Sequence, residues 1–235
     1  MLLGLNIDHI ATLRNARGGV EPSVLEGAKI ALDQNVFALT MHLREDRRHI
    51  KDNDLYEVKK LNAKINLEMA ATNEIQKIAL DLLPYSVCRV PERRQEVTTE
   101  GGLDVAGQKE YLKEFIKPLK QKGIIVSLFI DPDIKQVEAS KYVDADYIEL
   151  HTGSFSNAFD KGDYKIEFEK LKTAAKYAQE IGLKVNAGHG LNYKNVYLMK
   201  EIKGLSELNI GHSIISRAIF VGLKQAVVEM IDLIK

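Results

Sequence analysis

The chain has 235 residues, of which 45% are hydrophobic, so it can bury a full core as one large domain or two small ones. Lysine plus arginine equals aspartate plus glutamate at 33 each, which excludes a whole-protein field that would attract nucleic acid or an anionic membrane. The only cysteine, Cys88, excludes disulfides within the chain and cysteine-rich zinc sites.

Eight short apolar runs are predicted strands, and helical periodicity fills most of the gaps between them. The predicted strands are 2–7, 36–41, 64–69, 85–90, 124–130, 147–151, 184–188 and 207–211. The predicted helices are 22–35, 73–83, 108–123 and 164–182, with 218–235 as the last. Pro118 predicts a kink or a break inside the third of these helices.

Apolar strands that do not alternate and are followed by helices indicate a parallel sheet. Eight such units, in a chain near the usual barrel length of about 250 residues, favour a (β/α)8 barrel. An open doubly wound sheet is the alternative, but the segment after the first strand has no G-x-G-x-x-G turn. No linker or composition break divides the chain. We therefore predict an α/β protein, a TIM barrel with extra helices, whose single domain spans residues 1–235.

The first residues, MLLGLNIDHI, lack a positive segment and reach charge too early for a signal peptide. No apolar run approaches the roughly 20 residues of a membrane-spanning helix. We expect a cytoplasmic protein with neither nucleic acid nor a membrane as partner.

The histidines follow one pattern: each closely follows a predicted strand. They are His9, His42, His49, His151, His189 and His212. The same strand ends collect Asn6, Asp8, Arg44, Glu68, Asp131, Glu149, Asn186 and Asn209. Any one of these histidines alone is commonly a hydrogen-bonded structural imidazole. As a set they indicate an active site, because barrel enzymes place it at the carboxyl ends of the strands.

The phrase Asn-x-Gly-His ends both of the last two strands, at 186–189 and 209–212. In NIGHSIISRA, free N–H groups of Gly211, His212 and Ser213 would open a helix and bind a phosphate. The alternative is a helix start without a ligand.

A second anion site is predicted in HLREDRRHI (42–50), where Arg44, Arg47, Arg48 and His49 lie close together. The alternative there is a solvated loop of ion pairs with its own acidic residues. Further candidates are Arg14 and Arg17 in the loop after the first strand, and Thr98 and Thr99 in EVTTEGG. That last stretch is predicted to be a mobile loop that closes over a ligand.

His42, Glu68, Glu149 and His189 are predicted to converge as acid–base groups. Glu68 has apolar neighbours and is expected to have a raised pKa, unless it pairs with an arginine. Lysines at strand starts argue against a Schiff-base enzyme, and no H-x-H or H-E-x-x-H motif indicates a metal site. The residues alone therefore predict an enzyme without metal or cofactor that moves protons on phosphorylated substrates, and they leave the substrates open.

Longer motifs carry a resemblance to a known family. They are GLNIDHIATLRNARG, MHLREDRRHI, INLEMA, VPERRQEVTTEGGLDVAGQ, VSLFIDPD, IELHTG, KVNAGHGLNY and ELNIGHSIISRA. Together they closely resemble the pyridoxine 5'-phosphate synthases of vitamin B6 biosynthesis. The resemblance runs from residue 3 to about residue 230.

The resemblance implies a transferase-class enzyme that condenses 3-amino-2-oxopropyl phosphate with 1-deoxy-D-xylulose 5-phosphate. The products are pyridoxine 5'-phosphate, inorganic phosphate and water. It implies that His42 and Glu68 accept protons, that His189 donates one and that Glu149 assists. It places Asn6, Arg17, Gly190, Gly211 and His212 on the amino-ketone phosphate, and Asp8, His9, Arg44, His49 and Thr98 on the deoxyxylulose phosphate. It also implies a homo-octamer.

Two other interpretations stay open at this point. Another phosphosugar enzyme on the same barrel, an isomerase or a lyase, would act on a single phosphorylated substrate. A non-catalytic barrel would bind phosphate and lose no activity when Glu68 is replaced by Gln.

Overall fold

The computed structural model describes residues 1–92 and 101–235. Eight parallel strands close into a barrel in which each strand pairs with its sequence neighbours and the eighth pairs with the first. The strands are β1 (Leu2–Asn6), β2 (Ala38–His42), β3 (Ile65–Met69), β4 (Ser86–Arg89), β5 (Ile125–Ile130), β6 (Tyr147–His151), β7 (Lys184–Gly188) and β8 (Leu205–Ile210). This confirms the predicted (β/α)8 TIM barrel and all eight predicted strands.

Helices surround the barrel. In the described ranges they are α1 (Asp8–Arg17), α2 (Val24–Leu32), α3 (Asp52–Lys59), α4 (Asn73–Leu82), α5 (Lys109–Gln121), α6 (Ile134–Tyr142), α7 (Gly153–Asp160), α8 (Lys165–Glu180), α9 (His212–Val221) and α10 (Leu223–Ile234). Short 3-10 helices span Ala106–Gln108 and Val196–Glu201. None of the helices in the described ranges is long and apolar enough to cross a membrane.

Two helix predictions were wrong in detail. Pro118 does not break α5, because it lies in the last turn and the carbonyl left without a donor belongs to Glu114, an exposed residue that water can reach. The segment 218–235 is not one helix: Gly222, with φ 81°, separates α9 from α10. That conformation is one a glycine adopts without strain, so the chain turns there.

The segment after β1 also differs from expectation. Arg14 and Arg17 lie on α1 rather than in a loop, and Asp8 is the first residue of that helix. The helix carries Arg17 about 13 Å along its axis from Asp8.

The barrel interior is polar near its centre, while apolar side chains fill the space between strands and helices. Thr40 of β2 donates a hydrogen bond to Asn209 Oδ1 of β8 at 2.9 Å. Asn209 in turn donates to Glu149 Oε2 of β6 at 2.6 Å. Since neither pair of strands is adjacent, these bonds cross the interior of the barrel. They connect the core directly to the strand ends where the site lies.

Candidate active site

A cavity of about 680 Å³ lies at the carboxyl ends of the strands. Twelve of the fourteen predicted site residues line it: Asn6, Asp8, His9, His42, Arg44, His49, Glu68, Glu149, His189, Gly190, Gly211 and His212. Of the other two, Arg17 is exposed and does not line the cavity, because α1 carries it away from the barrel mouth. Thr98, Thr99 and most of the predicted closing loop fall within 93–100, outside the described residues.

One side of the cavity is built from carboxylates around His42. The last pair in the register of β2 and β3 is His42 with Glu68, and His42 Nδ1 lies 3.6 Å from Glu68 Oε2. The other ring nitrogen, Nε2, lies 2.8 Å from Glu92 Oε1. The backbone N–H of His42 donates to Asp8 Oδ1 at 2.8 Å. A carboxyl group therefore lies near each ring nitrogen of His42: that of Glu92 is at hydrogen-bond distance from Nε2, and that of Glu68 is 3.6 Å from Nδ1.

Burial is the largest single effect on the pKa of each of these carboxyl groups. It raises the pKa of Glu68 well above its usual range, and the charges of Asp8, Glu149 and Glu92 raise it further. Burial also raises the pKa of Asp8. For Glu92 burial acts in the same direction, but the hydrogen bond and charge of His42 and the backbone N–H of Glu45 outweigh it and lower the pKa. The site thus combines the carboxyl group of Glu68, which retains its proton, with that of Glu92, which gives up its proton easily.

Glu149 lies deeper in the same cavity and is only 2% exposed. Burial raises its pKa to about 7, although hydrogen bonds from Asn209 and from the thiol of Cys88, whose sulfur is 3.6 Å away, lower it. A group that titrates near pH 7 can both take up and release a proton under physiological conditions. The raised pKa of Glu68 agrees with the expectation from its apolar neighbours. Together with the raised pKa of Glu149, it gives the cavity groups that can act in acid–base chemistry.

Another part of the cavity wall is rich in histidine. The rings of His9 and His212 are 5.1 Å apart and those of His9 and His49 are 5.8 Å apart. Thr12 Oγ1, one helical turn after His9, lies 2.9 Å from His49 Nδ1 and 3.3 Å from His9 Nδ1. Burial and the neighbouring His212 and His49 lower the pKa of His9 to about 4. The His9 imidazole is therefore neutral at pH 7.

The N-terminus of α9 opens beside this group. Gly211 precedes the helix and has no side chain to cap it, and the first backbone bonds run from Ile214 and Ile215 to the Gly211 carbonyl. The N–H groups of His212 and Ser213 precede those bonds, so a phosphate can accept hydrogen bonds from them. The predicted helix start is therefore confirmed, and phosphate binding there stays a prediction.

His189 approaches the cavity from the end of β7. Its backbone has φ 75°, a left-handed conformation that is uncommon outside glycine, and Gly190 follows with φ 82°. Thr152 Oγ1 donates to the carbonyl oxygens of Gly188 at 2.7 Å and His189 at 2.5 Å, and Ser156 Oγ donates to that of Gly190 at 2.5 Å. Side chains from the start of α7 thus fix this unusual turn. Burial, followed by His151 and His9, lowers the pKa of His189 to about 4.

The arginines divide between the cavity and the surface. Arg44 is 5% exposed and lines the cavity. The loop alternative was right for Arg47, which pairs with Asp52 and Glu74, and for Arg48, which pairs with Asp46. Arg14 forms a two-pronged ion pair with Asp54, at 2.5 and 2.8 Å, so it joins α1 to α3. Of the four arginines at 14, 44, 47 and 48, only Arg44 lines the cavity.

Three described residues have donor atoms close enough together to hold a metal ion: Asp8, His42 and Glu68, within 4.8 Å of one another. Both oxygens of Asp8 already accept hydrogen bonds, one from the His42 backbone and one from Asn6 Nδ2 at 2.8 Å. The grouping was not visible as a sequence motif because its members come from β2, β3 and the start of α1.

Sequence reasoning missed three contributors to the site. Thr12 could have been found by helical spacing from His9, once α1 was recognised as a helix. Asn209 belongs to the second Asn-x-Gly-His phrase, but its function as donor to Glu149 depends on barrel closure. Glu92 follows β4 in irregular backbone, and no local pattern indicates that it reaches His42.

A closed parallel barrel with coupled carboxylates, histidines and an open helix N-terminus at its strand ends defines a barrel enzyme that acts on anionic substrates. Residues 3–235 match the family of pyridoxal phosphate biosynthesis protein PdxJ. The chain belongs to this family and is an enzyme of pyridoxine biosynthesis. Its phosphorylated small-molecule substrates follow from the family.

Curated relatives support this assignment. The chain is 58% identical over 238 residues to a pyridoxine 5'-phosphate synthase of Sulfurihydrogenibium sp. strain YO3AOP1, covering 100% of this chain and 98% of that protein. It is 54% identical to one of Hydrogenobaculum sp. strain Y04AAS1, with 100% of both chains covered. The resemblance read from the motifs is confirmed.

Solved structures of low sequence identity share the fold. A 3-hexulose-6-phosphate synthase covers 100% of both chains with a TM-score of 0.66 and 12% identity. The tryptophan synthase A-subunit of Pyrococcus furiosus has a TM-score of 0.64 at 13% identity and covers 99% of this chain and 97% of that one. At these identities the likeness shows the barrel alone.

Proposed function

We propose that the enzyme condenses 3-amino-2-oxopropyl phosphate with 1-deoxy-D-xylulose 5-phosphate to give pyridoxine 5'-phosphate, inorganic phosphate and water. One observation carries the proposal: a single cavity combines the cluster of His42, Glu68 and Glu149 with an anion site at the N-terminus of α9. A condensation that releases phosphate and water needs both proton transfer and phosphate binding. The name shared by the relatives supports the same reaction.

Both substrates occupy this cavity in this proposal. Asn6, Gly190, Gly211 and His212 hold the amino-ketone phosphate, and Arg17 is not among these contacts because it does not line the cavity. Asp8, His9, Arg44, His49 and Thr98 hold the deoxyxylulose phosphate. Support comes from His9 and His49, whose rings are linked through Thr12 and lie near Arg44, so that a dianion would meet several donors at once.

The amine of one substrate attacks the ketone carbon of the other, a carbon–nitrogen double bond forms and water leaves, so the enzyme needs no lysine of its own. His42 then accepts a proton from a carbon atom next to the carbonyl or imine group, and Glu68 accepts one after it has passed on the proton that burial holds on it. Glu92 supports His42 in this function, because its ionised carboxylate stabilises the protonated imidazole. Glu149 assists by exchanging a proton near neutral pH.

His189 donates a proton to the oxygen that leaves. Burial and two neighbouring histidines lower its pKa to about 4, so these groups by themselves keep the imidazole neutral at pH 7. A phosphate dianion bound beside it favours the imidazolium. The proton donor is therefore formed only when substrate is present, which prevents loss of the proton to water.

We propose that no metal and no cofactor take part. Asp8 and His42 are the residues that could share a cation with Glu68. Asp8 already accepts hydrogen bonds from Asn6 and from the backbone N–H of His42, and His42 Nε2 already bonds to Glu92. The proton transfers described above need only side chains of the cavity.

The test uses purified protein and both substrates, with and without EDTA, and follows free phosphate and pyridoxine 5'-phosphate together. We expect equal release of both products, no effect of EDTA, and a loss of at least about 100-fold in kcat for Glu68→Gln, as for the removal of a general base. Glu114→Gln is the matched control, because this side chain is 75% exposed on α5.

Three results would contradict the proposal. Phosphate release without the pyridine product would indicate a different reaction on one substrate. Loss of activity with EDTA would indicate a required cation at the Asp8, His42 and Glu68 group. Full activity of Glu68→Gln, with the control also active, would remove Glu68 from the chemistry.

The assembly is also a proposal. We propose one domain over residues 1–235 and a homo-oligomer, an octamer by resemblance. Val20, Ile219 and Phe220 are 81%, 66% and 82% exposed, on or next to helices α1 and α9, which pack together. Apolar side chains this exposed favour burial against another subunit. Native mass spectrometry would give the number of subunits.

We also propose a cytoplasmic location, where thiols such as Cys88 stay reduced.

A further inference from the structure

His151 and Asp131 lie behind His189 and have no place in the reaction described above. His151 is the last residue of β6, is 5% exposed and does not line the cavity. Its Nδ1 lies 2.9 Å from Oδ1 of Asp131, the residue after β5. A hydrogen bond to this carboxylate requires the proton on Nδ1, so it fixes the tautomer of the ring.

The other nitrogen of His151 has a different environment. Nε2 is buried and has no hydrogen-bond partner among the described residues. A buried ring nitrogen without a partner is costly, and such atoms persist at sites where they have a function. The neighbouring ring is that of His189: the two centroids are 5.1 Å apart, with the planes at 62°. Phe129 packs against both rings, at 5.1 Å and 6.3 Å.

The charged groups around the two rings differ. His189 faces His151 and His9, whereas His151 faces Asp131, His189 and the positive end of α7. The hydrogen bond to His151 lowers the pKa of Asp131, so this carboxylate is ionised at neutral pH. A full negative charge at 2.9 Å outweighs the half charge of a helix end. The carboxylate therefore lies next to His151 and not next to His189, whose pKa is lowered by burial and by the charge of His151.

We propose that His151, held by Asp131, is a positioning residue for His189: it packs the imidazole in place and prevents it from taking up a proton until a substrate phosphate arrives. The inference rests on the proposed function of His189 as proton donor. Thr152 and Ser156 fix the backbone of the turn, and the Asp131–His151 pair acts on the ring itself. A donor that takes up its proton only in the complex suits the loss of phosphate.

The first measurement needs no substrate. The titration of His189 is followed by NMR of imidazole-labelled protein, with the signal assigned by its absence in a His189→Gln variant. In His151→Asn, which keeps a donor for Asp131 but cannot carry the charge, we expect the His189 midpoint to rise by about one pH unit. Asp131→Asn should move it in the same direction. Asp131 is 52% exposed, so this variant is expected to fold even where the His151 substitution does not.

The second measurement is steady-state kinetics of the same proteins. We expect roughly tenfold lower kcat in His151→Asn and less than about twofold change in either KM, because the donor is altered while the phosphate contacts remain. Ser156→Ala is the matched control: it loosens the same turn without changing a charge, so it should lower kcat and leave the His189 midpoint unmoved.

An unmoved His189 midpoint in both His151→Asn and Asp131→Asn would overturn the inference, as would a rise in KM without a fall in kcat. The two proposals fail separately. If the midpoint moves but wild-type protein makes no pyridoxine 5'-phosphate, the proposed reaction is wrong and the coupling between the histidines stands. If the product forms and the midpoint does not move, the reverse holds.

Discussion

Glu207 provides a direct test of how burial sets the charges in this barrel. It lies on β8, is 7% exposed, and its Oε1 has no hydrogen-bond partner among the described residues. Burial raises its pKa to about 7 and the charge of Glu149 adds to this, while Lys64 opposes it. It does not line the active-site cavity. Replacing it by Gln removes the charge and keeps the shape.

The sign of the pH effect follows from proton binding. The folded protein binds this proton more tightly than the unfolded chain, whose glutamates titrate near 4.5, so its contribution to stability is complete below about pH 4.5 and is lost as the pH rises to about 7. Each tenfold difference in proton affinity is worth about 1.4 kcal/mol, which sets an upper limit of roughly 3 kcal/mol. Because a buried amide also needs partners, we expect Glu207→Gln to gain about 2 kcal/mol at pH 8.

The assay is thermal unfolding of wild-type and Glu207→Gln protein at pH 5 and pH 8. A gain of about 2 kcal/mol corresponds to a Tm increase of roughly 4–8 °C in a chain of this size. The gain should be much smaller at pH 5, and the exposed-site control Glu114→Gln should show almost none at either pH. Equal gains at both pH values, or a loss of stability at pH 8, would refute the reasoning.

Two further substitutions test the site itself. Gly211→Ala places a Cβ 2.7 Å from Asn6 Cβ and 2.9 Å from its Oδ1. In initial-rate kinetics we therefore expect the KM for the amino-ketone phosphate to rise more than the KM for the other substrate. Equal changes in both KM values would contradict the assignment. Asn209→Leu removes the donor to Glu149 Oε2. We expect the free energy of unfolding in denaturant titrations to fall by about 1–3 kcal/mol. We also expect infrared titration of the Glu149 carboxyl band to give a pKa above about 7, because the lost hydrogen bond lowers this pKa. An unchanged titration of the band would show that the hydrogen bond is unimportant.

The sequence by itself determined the fold and most of the site. Each strand is a run of apolar residues, and this pattern is local, because a strand buried on both faces must be apolar along its whole length. The polar residue that ends such a run must lie at the barrel mouth. For this reason His42, Glu68 and His189 could be placed in one cavity without coordinates, and the helix start at His212 could be predicted from Gly-His-Ser.

Local pattern did not determine the ends of helices after β1 and near the C-terminus. The resemblance placed Arg17 beside the amino-ketone phosphate, and the segment after β1 was predicted to be a loop. The segment is α1, whose rise of about 1.5 Å per residue carries Arg17 away from the cavity. The split at Gly222 depends on how α10 packs on α2 and α9, which no single stretch of sequence records.

Only the tertiary structure decided which groups touch. Thr40, Asn209 and Glu149 come from three strands and are joined by hydrogen bonds across the barrel interior, over 169 and 60 residues of chain. The contact of Glu92 with His42 likewise joins positions 50 residues apart. The order of strands around the barrel and their relative shift set these distances, and burial at those distances sets the protonation of each group. Composition and periodicity show which residues reach the barrel mouth, whereas closure of the barrel decides which of them form pairs and how strongly each holds its proton.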